Sequence, residues 1–122
     1  MDKAKNYKDL LVWQKAVDLA EAIYKITQCF PKDELYGLSS QLRRCSVSIA
    51  SNIAEGQARA SLPQFVHFLN LAKGSMAEMD TQLIIATRLG YISSFENEEL
   101  VKQQVEVTKL LHGLLKALQN QT

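Results

Sequence analysis

One helix in this chain, spanning Gln41 to Gly56 (QLRRCSVSIASNIAEG), has its polar residues in a file rather than scattered. At about 100° per residue, Gln41, Arg44, Ser48, Asn52 and Glu55 fall within an arc of about 80°. Leu38, Leu42, Cys45, Ile49 and Ile53 make a broad apolar stripe beside that row, and Val47, Ala50 and Ala54 make a second, smaller one. A helix with a single partner needs a single greasy face. Two apolar strips flanking an ordered polar row therefore predict neighbours on several sides, which a helical bundle supplies and a lone surface helix does not.

Three more amphipathic segments complete such a bundle. The spacing predicts helices over about 9–27, 38–55, 62–89 and 94–118, in one domain spanning residues 1–122. In the first, Asp9 is a plausible N-cap, and two stripes are expected to face inward: Trp13, Val17, Ala20 and Tyr24, then Val12, Ala16, Leu19, Ile23 and Ile26. Phe30-Pro31 ends it, because proline disfavours helical geometry in the residue before it. Gly56 is expected to stop the second helix as its C′ residue. Ser61-Leu62-Pro63-Gln64 fits a capping box opening the third, and Gly90 its end. Phe65, Phe68, Leu69, Ala72, Met76, Met79, Leu83 and Ala86 form the third helix's core stripe. The fourth carries Leu100, Val107, Leu111, Leu114 and Leu118 at seam spacing, with Gln104 its one polar member. No segment alternates with period two. The predicted fold is all-α, an antiparallel up-down-up-down four-helix bundle.

Composition narrows the function classes. The 122 residues are 47% hydrophobic and 22% charged, with a formal net charge of +1. That is too apolar for disorder and less basic than a monomer binding nucleic acid unaided. No run approaches the ~18 apolar residues of a membrane span, and the N-terminal lysines precede no signal-peptide core, so a cytoplasmic protein is expected. Cys29 and Cys45 lack a CxxC partner or histidines at ligand spacing, and read as small hydrophobes.

Catalytic constellations are missing. A di-iron bundle needs Glu-x-x-His pairs, but three residues before His67 and His112 stand Gln64 and Lys109. Ser46, Ser48 and Ser51 have no His or Lys suited to act as base. The glycines are dispersed, so no phosphate loop exists. The chain reads as a non-enzyme with no cofactor and no metal.

Ser75, Glu78 and Gln82 on the third helix lie within about 60° of one another and mirror the polar row of the second. Packed together, Arg44 would meet Glu78 or Glu55, with Ser48, Asn52 and Ser75 completing the hydrogen bonds. Buried charges persist only when paired, so Arg44, Ser48, Asn52, Glu55, Ser75 and Glu78 read as a structural polar network. Loss of Glu78 from such a buried network would cost roughly 3–5 kcal/mol. The alternative is a ligand site built on Asn52, Glu55 and Glu78. For contact with phosphate the candidates are Lys8, Arg43 and Arg59, with Lys3 and Lys5 before them. No cluster of aromatics interleaved with Arg or Lys stands out as a stacking platform, since Trp13 and Tyr24 fit a helix stripe.

Several segments together resemble the 23S ribosomal RNA intervening-sequence protein family, also called the four-helix bundle protein family. They are YKDLLVWQKAVDLA, FPKDELYGLSSQLRRCSVSIASNIAEG, FVHFLNLAKGSMAEMDTQL and LGYI. The specific elements are SxxSNIAEG (Ser48 to Gly56) and GSxxExxT (Gly74, Ser75, Glu78, Thr81). The resemblance implies an antiparallel four-helix bundle and a ring-like homo-oligomer, a pentamer being the form associated with the fold. It also implies an RNA-related role, and related bundles serve as accessory factors of reverse transcriptases. This chain departs from that last group in its near-neutral charge. Two readings stand side by side: a nucleic-acid-associated module making weak, sequence-independent contacts with RNA or DNA, and a scaffold binding a protein partner with no nucleic-acid role.

Overall fold

The computed structural model describes residues 6–121. Its four long helices are α1 (Leu11–Thr27), α2 (Leu38–Ala58), α3 (Leu62–Arg88) and α4 (Ser94–Gln119), with short 3₁₀ turns at Tyr7–Asp9 and Lys32–Glu34. No strand occurs among the described residues. Neighbouring helices pack in a cycle, α1 to α2, α2 to α3, α3 to α4 and α4 back to α1. The chain is an all-α four-helix bundle.

Each helix buries the stripe that its spacing marks. Val12, Ala16, Leu19 and Ile23 of α1 meet Leu42, Cys45, Ile49 and Ile53 of α2, Leu69, Ala72, Met76, Met79, Leu83 and Ala86 of α3, and Leu100, Val107, Leu111, Leu115 and Leu118 of α4 in one core. Only one of the two stripes expected of α1 is buried. Trp13 and Ala20 are half-buried, whereas Val17 and Tyr24 are exposed. On α4, Leu115 is the buried residue and Leu114 packs at the edge.

The helix ends follow capping chemistry, with two departures. Ser93 and Glu96 form a reciprocal capping box at the start of α4, and Ser61 Oγ accepts from the Gln64 backbone N–H at the start of α3. Gly90 leaves α3 at φ +83°, the Gly90 N–H bonding the Thr87 carbonyl and the Tyr91 N–H the Ala86 carbonyl. Those two bonds make a Schellman stop. Asp9, expected as the N-cap of α1, instead closes the 3₁₀ turn that Asn6 caps, and Leu10 precedes α1 with no side-chain cap. Gly56 does not stop α2, which continues through it to Ala58. A C′ glycine uses left-handed backbone, and among the described residues only Gly90 has positive φ. Gly56 serves a close approach: a Cβ there would lie 2.8 Å from Phe68 Cβ and 3.2 Å from the Phe65 carbonyl oxygen. Both neighbours are fixed to the α3 backbone.

Candidate interaction surfaces

Facing flanks of α2 and α3 carry the polar residues of the second and third helices. Ser48 Oγ lies 3.0 Å from Ser75 Oγ, and Asn52 Nδ2 donates to both the Ser48 carbonyl (2.9 Å) and its hydroxyl (3.0 Å). The Cys45 thiol donates to the Ser75 carbonyl at 2.9 Å. Further along, Gln82 Nε2 points to Gln41 Oε1 at 3.4 Å. Positions rise on α2 as they fall on α3, so these two helices run antiparallel. Small side chains suit this seam because hydroxyls and a thiol can bond across it without holding the helices apart.

The charged members expected in this network lie outside it. Arg44, Glu55 and Glu78 are all exposed. Glu55 pairs with Arg59 on its own helix at 2.6 Å, and no ion pair among the described residues joins Arg44 to Glu78 or Glu55. The expected row spans about 80° of helix, but only its inner edge reaches α3. Ser48 and Asn52 occupy that edge, Ser48 meeting Ser75 of α3, while Arg44 and Glu55 are exposed. Glu78 still acts at short range. Burial first, then the Glu78 carboxylate, pushes the Cys45 thiol up to about 11, against a backbone hydrogen bond at Met79 that lowers it. Cys45 is thereby held as a neutral thiol.

The three phosphate-contact candidates are spread out. Arg59 sits over the Phe68 ring at 4.9 Å and is neutralised by Glu55. Lys8 is exposed beside Tyr7, its ammonium 6.0 Å from the ring centroid. Arg43 lies beside the last turn of α1, about 25 Å from Lys8 by the length of that helix. Lys3 and Lys5 fall outside the described residues.

Arg43 does, however, belong to a cluster. Its Nε donates to Thr27 Oγ1 at 2.8 Å, and its guanidinium carbon stands 5.1 Å from the centre of the Tyr24 ring. Thr27 is buried and in turn donates to the Ile23 carbonyl at 2.7 Å. Arg43, Arg44, Tyr24, Tyr36, Leu35 and Ser40 surround a shallow depression of about 490 Å³. Tyr36 is 94% exposed and Tyr24 43%. This corrects the expectation that Tyr24 belongs to a core stripe and that aromatics and arginines do not interleave. Tyr36 lies between the second 3₁₀ turn and α2, outside any helical stripe. An aromatic residue in such a position, just before Gly37, was the available sequence signal.

His67 and His112 are both exposed, on α3 and α4 respectively. No group of three or more His, Cys, Asp or Glu side chains able to hold a metal ion is found among the described residues. No helix among them is long and apolar enough to cross a membrane.

Four helices packed in a cycle, with a neutral polar seam between α2 and α3, define a small all-α bundle protein. Residues 8–113 match the family described as 23S rRNA-intervening sequence protein, and the chain belongs to that family. A solved structure of similar fold is that of a protein of unknown function from the S23 ribosomal protein family of Bacteroides thetaiotaomicron. It is 27% identical, the match covering 89% of this chain and 98% of that one with a TM-score of 0.82. None of the curated proteins is similar enough to count as a match.

Proposed function

We propose that this protein is a non-catalytic helical module that self-assembles and associates with nucleic acid through backbone phosphates. The observation that carries the proposal is the state of its cations. Of the twelve described lysines and arginines, four have a carboxylate within ion-pair distance (Lys15 with Glu106, Lys25 with Glu21, Arg59 with Glu55, Lys102 with Glu99), and among the other eight Arg43 and Arg44 are the two adjacent in sequence. Arg43 is held by neutral groups, a hydroxyl and a phenol ring, and so keeps its full charge. Arg44 beside it is exposed and has no ion pair among the described residues. Two uncancelled guanidiniums near the start of α2 suit phosphate, which arginine grips with paired donors.

A net charge of +1 per chain makes a single copy a weak binder. Closed symmetric assembly would repeat the arginine pair around a ring and raise the local potential. Exposed apolar side chains on the outer faces of α2 and α3, Val47, Leu71 and Ile85 among them, support such assembly, and a pentamer is the form proposed. The family's link to 23S rRNA intervening sequences supports RNA as the nucleic acid, and the cytoplasm as the place.

Filter binding of RNA across a salt series tests the proposal. Affinity should fall as salt rises, with a log–log slope of about −1.4 for each pair of single-strand phosphates neutralised. Tight binding insensitive to salt overturns the phosphate mechanism. Absence of binding at low salt overturns the nucleic-acid role and leaves the scaffold reading, which Leu89 and Phe95 favour: both are exposed, at 55% and 71%, flanking the α3–α4 turn.

A further inference from the structure

We infer that the depression between Tyr36, Tyr24, Arg43 and Arg44 is a binding site for single-stranded nucleic acid, with one base stacked on Tyr36 and the adjoining phosphate held by the two arginines. The inference rests on the nucleic-acid reading above and goes beyond it by naming the site and the form of the strand. Four observations converge on it.

First, Tyr36 is 94% exposed, so its ring is open to a stacking partner, and tyrosine suits an interface by having an apolar face and a polar tip. It lies in the short connection between the second 3₁₀ turn and α2. Second, Arg43 is set in place before any ligand arrives. Its Nε is committed to Thr27 Oγ1, which is buried and anchored to the Ile23 carbonyl, and its planar group rests on Tyr24. The terminal nitrogens remain to grip an oxyanion with little ordering cost. Third, Arg44 is adjacent, exposed and not engaged in an ion pair among the described residues, so phosphate would not have to displace a carboxylate.

Fourth, the nearby Glu34 carboxylate does not occupy either arginine, being hydrogen-bonded elsewhere. Glu34 Oε1 accepts from the Leu38 N–H and Oε2 from the Tyr91 hydroxyl, both at 3.0 Å. Asp33 is exposed, with Lys32 next to it in sequence.

The shape selects the ligand. A shallow, open depression cannot enclose a free nucleotide, but an extended strand can cross it and continue along the protein. Stacking on Tyr36 requires an unpaired base face, which a duplex keeps inside its own stack. Each base has such a face, so sequence preference should be slight.

The test uses the full chain and fluorescently labelled ten-nucleotide probes: oligo-U RNA, oligo-dT DNA, an abasic strand of the same length, and an RNA duplex. Both single strands with bases should bind, the abasic strand and the duplex markedly less well. Tyr36→Ala should weaken oligo-U binding about five- to hundredfold, and Tyr36→Phe, which keeps the ring, should restore it. Arg44→Gln should weaken binding and flatten the salt slope by about 0.7. Because Tyr36 and Arg44 are exposed, thermal melts of both variants should overlay the parent, separating lost binding from lost fold. If the parent binds oligo-U but Tyr36→Ala binds equally well, or the abasic strand binds as tightly, this site is wrong and the phosphate proposal survives. If the parent binds none of the probes at low salt, the nucleic-acid reading itself falls. Equal binding of RNA and DNA supports the site as drawn. A strong preference for either sugar overturns recognition by base face and phosphate alone.

Discussion

Ser48 and Ser75, 27 positions apart in the chain, face each other hydroxyl to hydroxyl at 3.0 Å across the α2–α3 seam. Ser48 also receives Asn52, and Ser75 accepts the Cys45 thiol through its carbonyl. Two segments that look unrelated in sequence, SxxSNIAEG and GSxxExxT, are therefore halves of one contact. Neutral hydrogen bonds suit a half-buried seam, because they leave no charge to desolvate.

That pair should be coupled in energy. Ser48→Ala and Ser75→Ala are each expected to cost about 0.5–1.5 kcal/mol, and the double variant less than their sum. Chemical denaturation of the four proteins in a double-mutant cycle gives the coupling directly. Strict additivity would mean that the two hydroxyls are each satisfied elsewhere.

Charged positions beside that seam should behave differently. Glu78→Ala and Arg44→Ala are expected to change stability by no more than about 0.5 kcal/mol, since both side chains are exposed and neither is in an ion pair among the described residues. A loss of several kcal/mol for Glu78→Ala would restore the buried, paired network that the sequence suggested. The measurement is a urea midpoint at constant slope.

Two helical glycines should respond with opposite signs. Alanine at Gly56 would bring a methyl within 2.8 Å of Phe68 Cβ, so Gly56→Ala should destabilise by about 1–3 kcal/mol despite its better helix propensity. Gly74 has nothing within 4 Å of an added Cβ, and Gly74→Ala should stabilise the chain by about 0.5–1 kcal/mol. Thermal melts of both variants check the contrast. If Gly74→Ala instead dissociates an assembly seen by light scattering, its open face is covered by another copy.

Much of this was legible in the sequence, and the misses share a cause. Periodicity locates Leu42, Ile49 and Ile53 in the core because a buried stripe must repeat every three or four residues. The same periodicity cannot say how far round the helix the partner reaches. Periodicity alone therefore places Arg44 and Glu55 inside with Ser48, and Tyr24 and Val17 in the core, whereas each lies past the edge of the contact. Gly56 shows a second limit: glycine is needed both for left-handed backbone and for close approach, and only the neighbouring Phe65 and Phe68 decide between them. The arginine-lined end was hidden because Tyr36 and Tyr24 come from different segments, joined only by the turn that brings α2 beside α1.

Cys45 gives a pH dependence with a defined sign. Its thiol titrates at about 11 in the folded protein against an ordinary 9.0, so the folded state holds the proton more tightly. The stabilisation is complete below pH 9 and is lost as pH rises from about 9 to about 11. Denaturation midpoints should fall across that window, and less so in Cys45→Ala. At pH 8 a thiol reagent should modify exposed Cys29 quickly and Cys45 only after unfolding.

Gln104 is the polar interruption of the α4 seam, 6% exposed, and its Nε2 has no hydrogen-bond partner. It borders a groove between α3 and α4 whose walls include Met76, Val101, Val105 and Leu111 together with Asp80 and Thr108, and the amide nitrogen bonds to none of them. A buried donor left unpaired costs about 1–3 kcal/mol, whereas an apolar side chain of similar size would pack against the same neighbours. Gln104→Leu and Gln104→Met should therefore raise the melting temperature by a few degrees. A drop in stability for both would show that the amide finds an acceptor in the folded protein, and would make that groove a polar site instead of a packing defect.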